Sequence, residues 1–198
     1  TYTMRGDDQE GNAGRGLMCR AVERLFEGMA SRGAVGSAGS PASSPVAPAA
    51  PGVRYECAAS CLEIYNEQAT DCLQSVGTAA AALRLREDGP RVVVEGLRHE
   101  RIGTAEEAMR VLDAGFRSRQ TGSTSCNTHS SRSHFVFTIR VEATYTDDDR
   151  GERRTTTSCR MVDLAGSERQ KASHAEGKRL KEACSINKSL SALGNVVS

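Results

Sequence analysis

The 198 residues predict an α/β fold with a mixed central sheet sandwiched by helices. Three patterns carry that expectation. Met18, Val22, Leu25 and Met29 recur at spacings of four, three and four, which is the apolar face of a helix. Phe135, Phe137, Ile139, Val141 and Ala143 alternate, as in a strand with one buried face. Val92, Val93 and Val94 form a β-branched run of the kind used by a sheet buried on both faces.

In chain order, Gly6 to Gly16 is charged and glycine-rich and reads as a loop ahead of the first helix. Gly33 to Gly52 is nearly all Ala, Gly, Ser, Val and Pro, with Pro41, Pro45, Pro48 and Pro51 among them. Such a composition cannot offset its ordering entropy, so residues 33–52 are expected to be a disordered, low-complexity insertion within a single domain. Val53 to Ile64 reads as a strand with a compact apolar run at Ala58, Cys61, Leu62 and Ile64, and Arg91 to Glu95 as a shorter strand. Thr104 offers a hydroxyl to open a helix, and Glu107 completes a capping box. Ala105, Ala108, Leu112 and Phe116 then face inward, and the helix should fade between Gly115 and Gly122. The alternating strand runs out in a hairpin-like turn at Asp147, Asp148, Asp149, Arg150 and Gly151, and the chain returns through Thr155 to Leu164. Ile186, Leu190, Leu193 and Val197 define a last helix. No internal repeat is visible.

Bulk composition narrows the function classes. Lys plus Arg total 26 against 25 Asp plus Glu, so no global charge excess argues for nucleic acid or an anionic membrane. No apolar run reaches the length of a membrane span and no signal peptide opens the chain, which argues against membrane insertion. The cysteines number seven, are scattered and lack a C-x-x-C, as expected for reduced thiols of a cytosolic or nuclear protein. The histidines are not spaced for zinc. Asn187-Lys188-Ser189 matches a glycosylation sequon formally but lies inside a helical pattern.

Ligands of such sheets sit beyond the carboxyl ends of strands, where loops converge. Two stretches meet that requirement: "CNTHSSRSHF", from Cys126 to Phe135, and "VDLAGSE", from Val162 to Glu168. Binding a nucleotide γ-phosphate with its magnesium calls for hard oxygen ligands and for donors that assemble as loops close. Ser130 and Ser131 can supply hydroxyls to phosphate oxygen and metal, and Asp163 can hold a magnesium-bound water. Gly166 lets its backbone N–H approach a phosphate. Arg132 and Glu168, one in each stretch, carry the charges for a bidentate latch between the loops.

Each residue has a plainer reading as well. Ser130 and Ser131 suit an ordinary turn, Asp163 a turn cap, and Arg132 and Glu168 surface pairs with other partners. A Ser133–His134 catalytic dyad is disfavoured, because adjacent strand residues point to opposite faces.

"NTHSSRSH", "VDLAGSER" and "INKSLSALGNVV", in that order, resemble the kinesin motor domain. "TYTM" at Thr1, "LEIYNE" at Leu62 and "VVVEGL" at Val92 extend the likeness, and "SERQKASHAEG" is similar to the twelfth kinesin class. The resemblance covers nearly everything outside the insertion. It implies a P-loop NTPase-like core, ATP and Mg2+ as ligands, and ATP hydrolysis coupled to movement along microtubules in the cytoplasm, with the spindle as one such array. By position, Asn127 falls in the nucleotide site, Ser131 contacts magnesium, Ser130 contacts phosphate and the nucleophilic water, and Asp163 acts through a metal-bound water. Gly166 senses the γ-phosphate, and Arg132 with Glu168 forms the closing salt bridge. The last helix resembles the relay helix that lies against tubulin. Arg169, Lys171, Lys178, Arg179, Lys181 and Lys188 outnumber Glu168, Glu176 and Glu182 between Gly166 and Lys188, a local excess suited to tubulin's acidic surface and equally to a solvated helix face.

The departures from the family pattern shape the expectation. No G-x-x-x-x-G-K-[ST] run is present, and Thr1 corresponds to its last position, the metal-binding hydroxyl. Ala69 stands where the family usually has a larger aliphatic residue, and Ser118 where it has an asparagine. The resemblance therefore implies a partial motor domain, with dimerisation depending on regions outside these residues. Two readings stay open: a piece of a complete motor ATPase, or a truncated, non-hydrolysing module that binds microtubules or a partner.

Overall fold

The computed structural model describes residues 2–6, 14–36, 52–74, 82–89, 91–121, 132–147 and 151–165. Its spine is a pair of long strands. β2 (Gly52–Tyr65) runs antiparallel to β7 (His134–Asp147), with pairs from Gly52↔Thr146 to Ile64↔His134. β7 also pairs antiparallel with β8 (Gly151–Asp163) from Phe135↔Asp163 to Asp147↔Gly151, the hairpin that the acidic turn predicts. Along the other edge of β2 lie β1 (Ala34–Val35, parallel), β6 (Glu100–Ile102) and β3 (Gln68–Asp71).

The alternating residues of β7 point into the core, where Phe135, Phe137 and Ile139 are fully buried. Cys61 and Ala59 of β2 lie opposite Phe137 and Ile139, so small side chains meet large ones across the pair. Burial pushes the Cys57 thiol up to about 11 and, with negative charge from Glu63 and Asp71, Cys72 up to about 12, so these thiols act as small apolar fillers.

Beyond the four-residue α1 (Tyr2–Arg5), the described helices are α2 (Leu17–Ala30) and α3 (Ala105–Thr121), and both share one core with the inward face of β2 and β7. In α2 the buried stripe is Met18, Val22, Phe26 and Met29; the expected Leu25 flanks it, because the larger Phe26 fills the centre. α3 opens as its sequence predicts. Thr104 Oγ1 accepts the Glu107 N–H at 3.1 Å, and the Glu107 carboxylate reaches back to the N–H of Gly103 rather than that of Thr104. Ala108, Leu112 and Phe116 are buried. The helix continues through Gly115 because that glycine touches the sheet: a Cβ there would lie 2.6 Å from Cys61 Sγ and 3.0 Å from Phe135 Cζ.

One expectation is corrected. The valine run does not belong to a doubly buried sheet. Among the described residues, β5 (Arg91–Glu95) pairs with β4 (Arg84–Asp88) alone, in a two-stranded ribbon where Val92 is 57% exposed. Its β-branched residues serve local strand propensity, not core packing. At the two ends of the 33–52 stretch, described residues join the sheet. Gly33 packs against the Val53 carbonyl, Ala34 and Val35 form β1, and Gly52 starts β2. Residues 37–51 lie outside the described residues.

The described helices supply one layer on the sheet; the helix expected over Ile186 to Val197 lies outside the described residues. On the opposite sheet face, Arg101 and Arg54 pair with Glu56, and Arg140 with Glu142.

Candidate functional site

The pairing Phe135↔Asp163 puts the start of β7 beside the end of β8. The stretch that enters through Arg132 and the stretch that leaves through Ala165 therefore part from neighbouring strands at one end of the sheet. Register extends this row to a third strand, because Glu63 of β2 lies opposite Phe135. Two carboxylates thus flank one aromatic ring across three strands.

α3 delivers the counter-charge. Arg119 continues the stripe of Ala108, Leu112 and Phe116 one turn further, and its side chain is buried with only 2% of the residue exposed. Nη1 donates to Asp163 Oδ2 at 2.7 Å, Nε to Ser133 Oγ at 3.0 Å, and Nη2 to the Ser133 carbonyl at 2.6 Å. Glu63 Oε1 stands 3.9 Å from Nε. The guanidinium lies over the Phe135 ring at 5.8 Å, Phe135 stacks on Phe116 at 4.5 Å, and Arg5 covers Phe116 at 5.3 Å. A planar fork with five donors can serve a carboxylate, a hydroxyl and a carbonyl at once, which lysine cannot.

Asp163 is 3% exposed, so its carboxylate could not stay buried without such a partner. Ser133 and His134 are held by different groups: Ser133 Oγ accepts from Arg119, while His134 Nδ1 accepts the N–H of Ala165 at 3.1 Å. Burial, followed by the charge of Arg119 and opposed by that of Asp163, lowers the pKa of His134 below its ordinary value, so the ring is neutral near pH 7.

Among the sequence-predicted site residues, Asp163 and Arg132 are described, at the end of β8 and two residues before β7, and the sheet register brings their segments together. Thr1, Asn127, Ser130, Ser131, Gly166 and Glu168 lie outside the described residues, as do Arg169, Lys171, Lys178, Arg179, Lys181 and Lys188. Sequence reasoning missed Arg119, Glu63 and the structural use of Ser133. The available signal was an arginine three residues after Phe116 on an apolar stripe. The donor chemistry fits a nucleotide with a divalent cation: a hard carboxylate, that of Asp163, is fixed at a strand end and joined through Arg119 to the Ser133 hydroxyl. A carboxylate can accept about four hydrogen bonds, so its bond to Arg119 is compatible with holding a water.

The family model described as "Kinesin motor domain" matches residues 1–198. The chain is 41% identical over 198 residues to "Kinesin-like protein KIN-12C" of Arabidopsis thaliana, covering all of this chain and 9% of that protein. It is 42% identical over 201 residues to "Kinesin-like protein KIF15" of Homo sapiens, covering all of this chain and 13% of that one. Among solved structures, "Structure of a fast kinesin: Implications for ATPase mechanism and interactions with microtubules" matches at a TM-score of 0.73 and 33% identity, over 98% of this chain and 48% of that one. "KIF14[391-772] dimer two-heads-bound state - AMP-PNP in complex with a microtubule" matches at 0.68 and 34%, over 94% and 49%. The chain thus spans about half of these solved chains and a small part of the curated relatives. Its fold, its paired strand ends and the family match over every residue agree: this chain belongs to the kinesin motor domain family.

Proposed function

We propose that this chain is part of a microtubule-based motor that couples ATP binding and hydrolysis to movement along microtubules. The observation that carries the reading is the Phe135↔Asp163 pairing with Arg119 locked across it, since the two polar stretches adjoin these neighbouring strand ends in sequence. Family membership and the microtubule complex of the KIF14 relative support the partner.

When bound, ATP with Mg2+ supplies the γ-phosphoryl group and the charge neutralisation that transfer to water needs. Thr1, Ser131 and Asp163 would hold the cation, Asp163 through a water. Asn127 would contact the nucleotide, Ser130 would contact phosphate and orient the attacking water, and the N–H of Gly166 would meet the terminal phosphoryl group. Arg132 and Glu168 would pair across the two stretches once both are drawn in, excluding bulk water. Arg169, Lys171, Lys178, Arg179, Lys181 and Lys188 would face acidic tubulin, in keeping with a protein of cytoplasmic microtubules.

No G-x-x-x-x-G-K-[ST] run occurs within these residues, so hydrolysis depends on a phosphate cradle supplied from outside them. The test compares microtubule-stimulated phosphate release by the full-length protein and by residues 1–198 alone. Stimulated release is expected from the full-length protein and none from the short chain. A full-length protein that binds microtubules without releasing phosphate would instead establish the non-hydrolysing module.

A further inference from the structure

The β7–β8 ladder ends at Phe135↔Asp163. Continued by two positions, the same register would set Ser133 opposite Ala165. Instead the Ser133 carbonyl accepts from Arg119 Nη2 at 2.6 Å, and the Ala165 N–H donates to His134 Nδ1 at 3.1 Å. Side chains thus take over from main-chain pairing at the point where the two segments part. Ala165 is 3% exposed and His134 8%, so an N–H left without this acceptor would be buried unsatisfied. A ring nitrogen that accepts carries no proton, which fixes the imidazole as neutral with its proton on Nε2.

We propose that His134 is a positioning residue whose Nδ1 holds the Ala165 peptide and so sets the direction in which the chain leaves β8 toward Gly166. This rests on the motor reading above, in which Gly166 meets the terminal phosphoryl group. His134 opens β7 and Ala165 follows β8, so the bond joins the two chain ends from which the polar segments part. It is one hydrogen bond beyond the ladder, and it can break without opening the sheet. The burial and nearby Arg119 charge that keep the ring neutral preserve its acceptor.

Two variants of the full-length protein test the role. His134→Asn keeps an acceptor near the Nδ1 position; His134→Gln carries its acceptor further out, near Nε2. The expected result is that His134→Gln lowers the kcat of microtubule-stimulated ATP hydrolysis by about tenfold with KM for ATP within about twofold, while His134→Asn stays within about threefold of the parent. Equal losses in both variants, or no loss in either, overturn the proposal. A second readout needs no turnover. Nitrogen-15 spectra of the His134 ring should show a bare Nδ1 and a protonated Nε2, and the Ala165 amide should exchange at least about tenfold faster in His134→Gln than in His134→Asn. A protonated Nδ1, or equal exchange, overturns the proposal whatever the activity. A full-length protein that lacks hydrolysis but shows the expected ring state and exchange contrast overturns the motor reading and leaves the positioning role standing.

Discussion

Arg119 is the residue on which the site's order depends most. It lies between the buried carboxylate of Asp163 and the half-buried one of Glu63, and the distances assign it chiefly to Asp163, at 2.7 Å, against 3.9 Å for Glu63. Replacing it by methionine keeps much of the volume but leaves buried negative charge without its partner. Arg119→Met is expected to destabilise the full-length protein by about 3–5 kcal/mol in urea unfolding, and adding Asp163→Asn should recover part of that loss. Additive losses in the double variant would show that the two side chains do not act as a pair. Neither Arg119 nor Glu63 was legible beforehand, for a physical reason. A cation in the last turn of a helix is ordinarily a solvated partner of the helix dipole, and the strand sequence around Glu63 does not reveal which α3 turn lies over it. The place of Asp163 at a strand end was legible, because an apolar run precedes it and a glycine turn follows; its plain reading as a turn cap was equally open.

At the scale of elements, α3 shows how closely local sequence and packing agree. Its capping box and its inward stripe were both readable, since each depends only on spacing within the helix. Gly115 was read as a sign of the helix fading, whereas it is the point of closest approach to β2 and β7. Gly115→Ala is therefore expected to destabilise by about 1–3 kcal/mol in thermal or urea unfolding, despite alanine's better helix propensity. Gly28→Ala in α2, where a Cβ meets nothing within 4 Å, should stabilise by about 0.5–1 kcal/mol in the same measurement. The contrast separates propensity from packing. The valine run of β5 was misjudged for a related reason: β-branched residues report a preference for extended backbone, but sheet membership depends on which strands come alongside, and among the described residues only β4 does. The β7–β8 hairpin was readable from its acidic turn, whereas the hairpin of β2 and β3 was not. Asn66 and Glu67 both take positive φ between Tyr65 and Gln68, giving the tight two-residue link between β2 and β3.

At the scale of the whole molecule, the described helices pack as one layer on the sheet, and two polar segments part from neighbouring strand ends. The fold class and the family were legible because repeated hydrophobic spacing and long contiguous motifs survive without coordinates. Long-range placement, such as Glu63, Phe135 and Asp163 falling in one row, came only from strand register. The motor account requires that the segments through Arg132 and Glu168 close as a unit around a terminal phosphoryl group. The most direct measurement is a double-mutant cycle on microtubule-stimulated phosphate release by the full-length protein, with Arg132→Ala, Glu168→Ala and both together. Each single variant is expected to slow release by at least about tenfold, with the double variant no slower than the worse single one. Losses that multiply would mean that Arg132 and Glu168 act independently, and would contradict the account.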